Sequence, residues 1–258
     1  KQQGVHGARR LLDARHAREA RHMAKISVFR YDPELDSAGY FDEFDVPYRS
    51  GMTVLEALLH ILEHEDGSLG FRYACRSAVC GSCAMHINGR YRLACATQVS
   101  DLGDRVVVRP LYHLPVIRDL VVDMTGFFQK YERIRPWLLN ETPLGDEERR
   151  QSPEERARLD NLVECILCAC CHASCPFTHT DPEYLGPALL LKLDRFYADS
   201  RDLATADRIA AADDEHGVWR CHTAYNCVEV CPKDLNPTAS IARLKGAAIK
   251  RRFTGRAE

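Results

Sequence analysis

The chain has 258 residues, a formal net charge of −2 at pH 7 and 45% hydrophobic residues. This length predicts two domains rather than one small module, and the near-neutral charge gives no indication of a nucleic-acid partner. No segment reaches the ~18 consecutive apolar residues of a membrane-spanning helix, so any role at a membrane is expected to depend on partner subunits.

Residues 1–24 are interpreted as a basic extension. Eight of the first thirty residues are Lys or Arg and two are acidic. Arg9 and Arg10 are not followed by an apolar run, so an export signal is not expected. A solvated helix or tail is the first interpretation, and an arm that docks on a partner or a membrane surface is the alternative.

Residues 25–115 are predicted to form a mixed α+β domain. Thr53 is expected to cap an amphipathic helix that begins at Val54, and Asn88-Gly89 lies between two short alternating runs, which is a strong hairpin signal. The alternation of apolar residues predicts strands at Lys25–Tyr31, Tyr40–Val46 and Val106–Arg109.

Residues 116–258 are predicted to form an all-α domain. The apolar spacing predicts helices at Ile117–Leu139, Pro153–Leu162, Pro187–Ala198, Leu203–Ala211 and Ala239–Lys250. These helices flank two further cysteine-rich runs.

The twelve cysteines fall into three tight groups, with none before Cys75. A disulfide framework would spread its bridges through a small secreted domain, and this chain shows neither the size nor a signal peptide. Close spacing of this kind is typical of metal ligation in a reducing compartment.

The first group has the spacing of a plant-type ferredoxin, which holds a [2Fe–2S] cluster. Small residues fill the loop and leave backbone N–H groups free to face the sulfurs, while Arg76 can offset the negative charge of the cluster. The fourth cysteine is expected on the strand that follows the Asn88-Gly89 hairpin. A structural zinc site is the alternative. The predicted ligands are Cys75, Cys80, Cys83 and Cys95.

The second and third groups each fit the bacterial ferredoxin frame C-x2-C-x2-C-x3-C-P, in which the fourth cysteine ligates the other cluster. The runs are CILCACCHASCP at 165–176 and CHTAYNCVEVCP at 221–232. By this rule a [4Fe–4S] cluster is ligated by Cys165, Cys168, Cys171 and Cys231. The other site receives Cys175, Cys221 and Cys227.

The second of these sites has three thiolates, because Ala224 stands where the frame requires its fourth cysteine. A cubane corner without a thiolate is readily lost, so a [3Fe–4S] cluster is predicted there. None of the three predicted sites uses Cys170, which is interpreted as a packed thiol rather than a ligand.

The full set of motifs resembles the iron–sulfur subunit of succinate dehydrogenase and fumarate reductase, respiratory complex II. The resemblance covers roughly Ile26 to Arg252 and includes the two frames above. It also rests on FRYACRSAVCGSCAMHING, VIRDLVV and CPKDLNPT. It implies an N-terminal β-grasp ferredoxin domain followed by a helical ferredoxin domain, with the same order of three clusters.

The resemblance also implies partners. Electrons would pass from FAD in a flavoprotein subunit, through the clusters, to a quinone beside a membrane-anchor subunit, on the cytoplasmic face of a bacterial inner membrane or, alternatively, the mitochondrial matrix face. It places Pro176 and His222 beside the quinone, and Lys233 near the [3Fe–4S] side. Thr180 stands where ubiquinone-linked members have a tryptophan, which favours a menaquinone-type site.

No set of side chains suggests acid–base catalysis in this chain, and the resemblance requires none. His60, His64 and His86 are interpreted as ordinary surface or partly buried residues. The alternatives are fumarate reductase working in the reverse direction, the iron–sulfur subunit of another flavin-linked dehydrogenase, and a zinc-stapled interaction module without a redox role. Ala224 counts against the last, because a three-thiolate zinc site is usually catalytic.

Overall fold

The computed structural model describes residues 23–143, 145 and 147–255. Within them the chain divides into two compact units: one contains the residues up to Pro110 together with Val116–Val122, and the other contains Leu111–Pro115 and the residues from Asp123 on. The predicted basic extension lies outside the described residues, except for its last two, which begin the first strand. The predicted domain boundary at 115/116 therefore differs from the structural division, which places 116–122 with the first unit.

Within the described residues the first unit is a mixed sheet with one α-helix, and the predicted α+β class with a β-grasp domain is confirmed. The described strands of the sheet lie in the order β2-β1-β5-β3-β4, and the β1–β5 pair is parallel. The strands are β1 (Met23–Arg30), β2 (Tyr40–Pro47), β3 (Ala84–Ile87), β4 (Arg90–Leu93) and β5 (Arg105–Arg109).

Helix α1 (Val54–His64) buries its apolar face under the sheet, with Val54, Leu58 and Ile61 fully inaccessible. It begins where predicted, because the Thr53 hydroxyl accepts a hydrogen bond from the Glu56 N–H and the Glu56 carboxylate accepts one from the Thr53 N–H.

The β3–β4 hairpin turns at Asn88-Gly89, as the sequence predicts. Asn88 and Gly89 have φ angles of 43° and 80°, and both must be positive in the tight turn that matches the twist of two strands. The Asn88 amide also donates to the Leu102 and Arg105 carbonyls at 3.0 and 2.9 Å, which fixes the turn against the start of β5.

The helix predicted at Ile117–Leu139 is wrong in its first part. Residues Val116–Arg118 (β6) and Val121–Val122 (β7) form a small antiparallel pair, and the helix α2 covers only Thr125–Arg133. The reason is long-range: Asp119, at a φ of 46°, donates its own N–H to the Tyr31 carbonyl and is held outside helical geometry.

Asp119 belongs to a buried charge network around Arg30. The Arg30 side chain is 7% exposed and pairs with Asp119 (Nε–Oδ1, 3.1 Å), Asp42 and Asp66. The Asp119 carboxylate also accepts the N–H groups of Tyr31 and Gly70, at 3.0 and 2.7 Å. One carboxylate thus joins β1, the segment before the first cysteine group and the β6–β7 turn.

The second unit contains helices and no strands among the described residues, as predicted. Helix α6 lies at its centre, with Leu189, Leu190 and Leu193 fully buried, and α9 packs against it through the ion pair of Arg243 with the buried Asp194. None of the described helices is long and apolar enough to cross a membrane. After α2 the helices are α3 (Pro153–Ala157), α4 (Cys170–Ala173), α5 (Pro176–Thr180), α6 (Gly186–Tyr197), α7 (Thr205–Ala212), α8 (Asn226–Glu229) and α9 (Pro237–Thr254).

Replacing Asp119 by alanine is expected to lower the free energy of unfolding by about 3 kcal/mol, because it leaves part of the Arg30 charge and two N–H groups unpaired in a buried site. Urea unfolding measures the loss, and hydrogen exchange should quicken at the Gly70 amide. Glu34→Ala, at an exposed position, is the control. Equal stability of the two variants would show that the network does not hold this region.

Candidate metal centres

The first cysteine group lies on an irregular loop between α1 and β3, and both ends of the loop are fixed. At the start, Leu69 is buried and the Gly70 carbonyl accepts the Leu120 N–H at 3.1 Å. At the end, Cys83 is buried and its carbonyl accepts the Ala94 N–H at 2.9 Å. The loop is therefore presented on a rigid support.

Backbone N–H groups of this loop point at the cysteine sulfurs. The Cys75 Sγ accepts from three of them, at 3.3–3.4 Å, and the Cys95 Sγ accepts the Ala78 N–H at 3.3 Å. Left-handed φ angles at Arg76 (58°), Ala78 (56°) and Gly81 (75°) turn the N–H groups inwards. Such a concave set of donors suits an anionic iron–sulfur cluster. The three donors to Cys75 are Ser77, Val79 and Cys80.

The thiols of the loop differ in acidity. Hydrogen bonds from the backbone of Cys75 and from Ser82 lower the pKa of Cys80 to about 6, whereas burial raises the pKa of Cys83 to about 12. A thiolate is the form that binds metal, and a bound metal ion deprotonates a coordinating thiol even when burial opposes this. Cys95 lies in a short 3-10 turn, Ala94–Ala96, directly after β4 rather than on the strand as expected.

The second unit contains a mainly apolar cavity of about 370 Å³ that unites cysteines from both ferredoxin frames. Helix α6 contributes Ala188 and Leu191 to its wall, and Leu235 lies on another side. Burial raises the pKa of the Cys165 thiol, and a hydrogen bond from the Leu167 backbone N–H partly opposes this shift. The cysteines of this four-cysteine cavity are Cys165, Cys168, Cys171 and Cys231.

A neighbouring cavity of about 280 Å³ contains three cysteines, and Ala224 forms part of its wall. The Cys227 Sγ lies 3.4 Å from the Thr238 hydroxyl of α9, and Tyr184 and Ile241 line other sides. The cysteines of this three-cysteine cavity are Cys175, Cys221 and Cys227. The structure thus brings together the residues that the frame rule groups, including the exchange of Cys175 and Cys231 between the runs.

The two runs share a pattern of backbone conformation at matching positions. Leu167 and Thr223 have φ angles of 54° and 61°, and Ala169 and Tyr225 have 62° and 61°. In each run a one-turn helix follows, α4 in the first and α8 in the second. Ala224 therefore takes the structural place of Cys168, so the missing thiolate is a substitution within a conserved backbone geometry and not a rearranged loop.

Cys170 lines neither cavity, although it is completely buried. It makes a hydrogen bond with Cys168 that lowers the pKa of the Cys168 thiol. This contact agrees with a packed thiol beside a ligand rather than with a ligand itself.

Within the described residues, no three Cys, His, Asp or Glu side chains converge closely enough to hold a single metal ion. A structural zinc ion requires its thiolates at about 2.3 Å from one point. Cysteines that surround a cavity, as in the second unit, have the arrangement that a multi-iron cluster requires.

Of the three residues predicted near a quinone, the structure places two beside Phe177 and the third at the other cavity. Pro176 begins α5 and lines the three-cysteine cavity, and the His222 ring lies 4.8 Å from the Phe177 ring. Lys233 lines the four-cysteine cavity instead. This position agrees with the frame rule, because Lys233 lies two residues after Cys231, the cysteine that crosses to the four-cysteine site.

Polar residues around Thr180 were missed by sequence reasoning. The Thr180 hydroxyl accepts a hydrogen bond from the Arg220 guanidinium at 2.9 Å. Next to it, Asp181 lies 2.9 Å from His216 Nδ1, and this contact raises the pKa of His216. The only sequence signal was that Arg220 directly precedes Cys221.

Comparison with known proteins agrees with both units. Residues 25–129 match the family model of a 2Fe-2S iron–sulfur cluster binding domain, and residues 161–235 match that of a 4Fe-4S dicluster domain. The solved Mycobacterium smegmatis Sdh1 complex in the apo form contains a chain that superimposes with a TM-score of 0.82 at 30% identity, covering 90% of this chain and 98% of that one.

Curated relatives are similar over nearly their whole length. The succinate dehydrogenase iron–sulfur subunit of Coxiella burnetii is 46% identical over 89% of this chain and 99% of its own. The subunit of the same name from Paracoccus denitrificans is 41% identical over 90% of each chain. With two ferredoxin-type units and this level of identity, the chain belongs to the family of succinate dehydrogenase iron–sulfur subunits.

Proposed function

We propose that this chain is the electron-transfer subunit of a succinate:quinone oxidoreductase and is active only within that complex. The observation that carries the proposal is the exchange of cysteines between the two runs, which creates a four-cysteine and a three-cysteine cavity in one helical unit. An interaction module would have no need of adjacent cavities that differ by a single thiol.

The ligands follow from the grouping of the sulfurs. Cys75, Cys80, Cys83 and Cys95 hold a [2Fe–2S] cluster, and the four-cysteine cavity holds a [4Fe–4S] cluster. The three-cysteine cavity holds a [3Fe–4S] cluster, because Ala224 offers no ligand to a fourth iron. When bound, these clusters supply the one-electron steps that link a two-electron flavin to a quinone.

The chain holds its last two sites close together. Cys171 and Cys175 belong to different cavities but are four residues apart, across the single turn of α4. The apolar walls exclude water from both sites, and backbone N–H groups offset the negative charge of the thiolates.

The partners are a flavoprotein subunit that carries FAD and the succinate site, and a membrane anchor that binds the quinone. The chain is then peripheral on the cytoplasmic face of a bacterial inner membrane. Pro176 and His222 face the quinone, and Thr180 with its Arg220 contact replaces a tryptophan, which favours a menaquinone-type acceptor. The same residues serve succinate oxidation or fumarate reduction, since cluster potentials and the quinone set the direction.

Electron paramagnetic resonance of anaerobically purified protein tests the proposal, with iron and zinc counted on the same sample. A [3Fe–4S] signal is expected in the oxidised protein, joined on reduction by [2Fe–2S] and [4Fe–4S] signals. Silent spectra together with stoichiometric zinc would overturn it.

Replacing Cys80 by serine is expected to damage the [2Fe–2S] signal and to leave the [4Fe–4S] and [3Fe–4S] signals intact. The reason is that all four proposed ligands of the [2Fe–2S] cluster lie in the first unit. Cys170→Ser, which removes a buried thiol that lines neither cavity, is the matched control and should keep all three signals. Loss of every signal in Cys80→Ser would contradict the separation of the sites.

Replacing Ala224 by cysteine is expected to convert the three-iron site into a four-iron site, because position 224 has the backbone geometry of Cys168. The [3Fe–4S] signal of the oxidised protein should disappear and the iron content should rise by one. Thr223→Cys adds a thiol one residue away and should change neither. Unchanged spectra in Ala224→Cys would contradict the assignment of the vacancy.

A further inference from the structure

Helix α6 carries a lysine in the middle of its buried stretch. Every residue of the helix from Gly186 to Asp194 is buried except Lys192, which is half-buried. An ammonium group in partly apolar surroundings costs free energy unless an anion lies near it. A lysine can also serve only to pack its aliphatic stem while the ammonium reaches water. The surroundings of Lys192 distinguish between these two roles.

The helical spacing places Lys192 at the four-cysteine cavity. Ala188 and Leu191 of the same helix line this cavity. Residues four apart share one face of a helix, so Lys192 projects from the same side as Ala188. Leu191 belongs to an apolar cluster against which Cys165 packs. Lys192 thus extends the wall of the cavity on the side where Cys165 lies.

The charge of Lys192 acts on this cysteine. Burial raises the pKa of the Cys165 thiol, and the Lys192 ammonium opposes this shift because a nearby cation favours the thiolate. Burial likewise lowers the pKa of Lys192, and a negative Cys165 opposes that shift. The two side chains therefore interact as a cation and an anion across the wall of the cavity.

Other charged groups leave the charge of Lys192 available to the cavity. Among the described residues Lys192 forms no ion pair, and the nearby Glu164 is exposed to water. Arg195, one turn further along α6, is instead paired with the buried Asp199 at 2.9 Å. Lys233 lines the cavity beside Cys231, away from Cys165 in the sequence. On α6, Lys192 rather than Arg195 therefore presents an unpaired positive charge to the four-cysteine cavity.

We propose that the Lys192 ammonium raises the reduction potential of the [4Fe–4S] cluster at the four-cysteine cavity. The inference rests on the proposed assignment of that cluster. Reduction adds one electron to an anionic site and breaks no bond, so the negative charge of the site grows by one. A nearby cation stabilises the reduced form more than the oxidised form, and net charge is a main determinant of cluster potential.

Redox titration of the cluster-loaded full chain, followed by electron paramagnetic resonance under anaerobic conditions, tests the proposal. Lys192→Met keeps most of the apolar stem and removes the charge. Its equilibrium constant for reduction of the [4Fe–4S] cluster is expected to fall about tenfold, which lowers the midpoint potential of this one-electron couple by about 59 mV. Lys192→Arg keeps the charge, so its midpoint potential should stay close to that of the parent chain.

Lys250→Met is the matched control, because it removes an exposed lysine of α9 and should leave the [4Fe–4S] potential unchanged. The [2Fe–2S] potential should not move in any variant, since that site lies in the first unit. Lys192→Gln supplies the same measurement if the methionine variant loses iron.

Two kinds of failure can be told apart. If Lys192 only packed its stem, Lys192→Met would change the thermal stability but not the midpoint potential. An unchanged potential in Lys192→Met, or an equal shift in Lys192→Met and Lys192→Arg, would therefore overturn the proposal while the cluster assignment stood. Absence of a [4Fe–4S] signal in the reduced parent chain would overturn the cluster assignment and this inference with it.

Discussion

The helical unit depends on one constraint: each of two cysteine runs must give its last cysteine to the other run's cavity. Cys231 lies with the cysteines of the first run and Cys175 with those of the second. Neither cavity can exist without both runs in place, although about fifty residues separate them along the chain. Helices α6 and α9 supply the shared walls, and the ion pair of Arg243 with the buried Asp194 joins these two helices.

The same constraint explains why the backbone of both cysteine runs adopts an unfavourable conformation. Leu167, Ala169, Thr223 and Tyr225 all adopt left-handed φ angles, which cost roughly 1–3 kcal/mol for each residue that is not glycine. In this conformation the backbone N–H groups face the sulfur atoms instead of bonding to carbonyl oxygens within a helix. Strain of this kind is expected where a backbone must surround a charged group, and its repetition at matching positions in both runs identifies the loops as functional.

The first unit holds its cysteine loop in place in a different way. Its cysteine loop is anchored from outside, because the Asp119 carboxylate ties Gly70 and Tyr31 together and neutralises part of the buried Arg30. The other end is fixed by the buried Cys83 and the β3–β4 hairpin. Rigid support on both sides lets a loop without regular structure hold its N–H groups in one arrangement.

The sequence by itself determined the features that depend on neighbouring residues. The capping box at Thr53, the Asn88-Gly89 turn, the α+β and all-α classes of the two units, and the cysteine frames with their vacancy at Ala224 are all properties of short segments. Tertiary structure decided what depends on distant partners. It made strands of Val116–Arg118 and Val121–Val122, because the Asp119 N–H bonds to the distant Tyr31 carbonyl within the first unit.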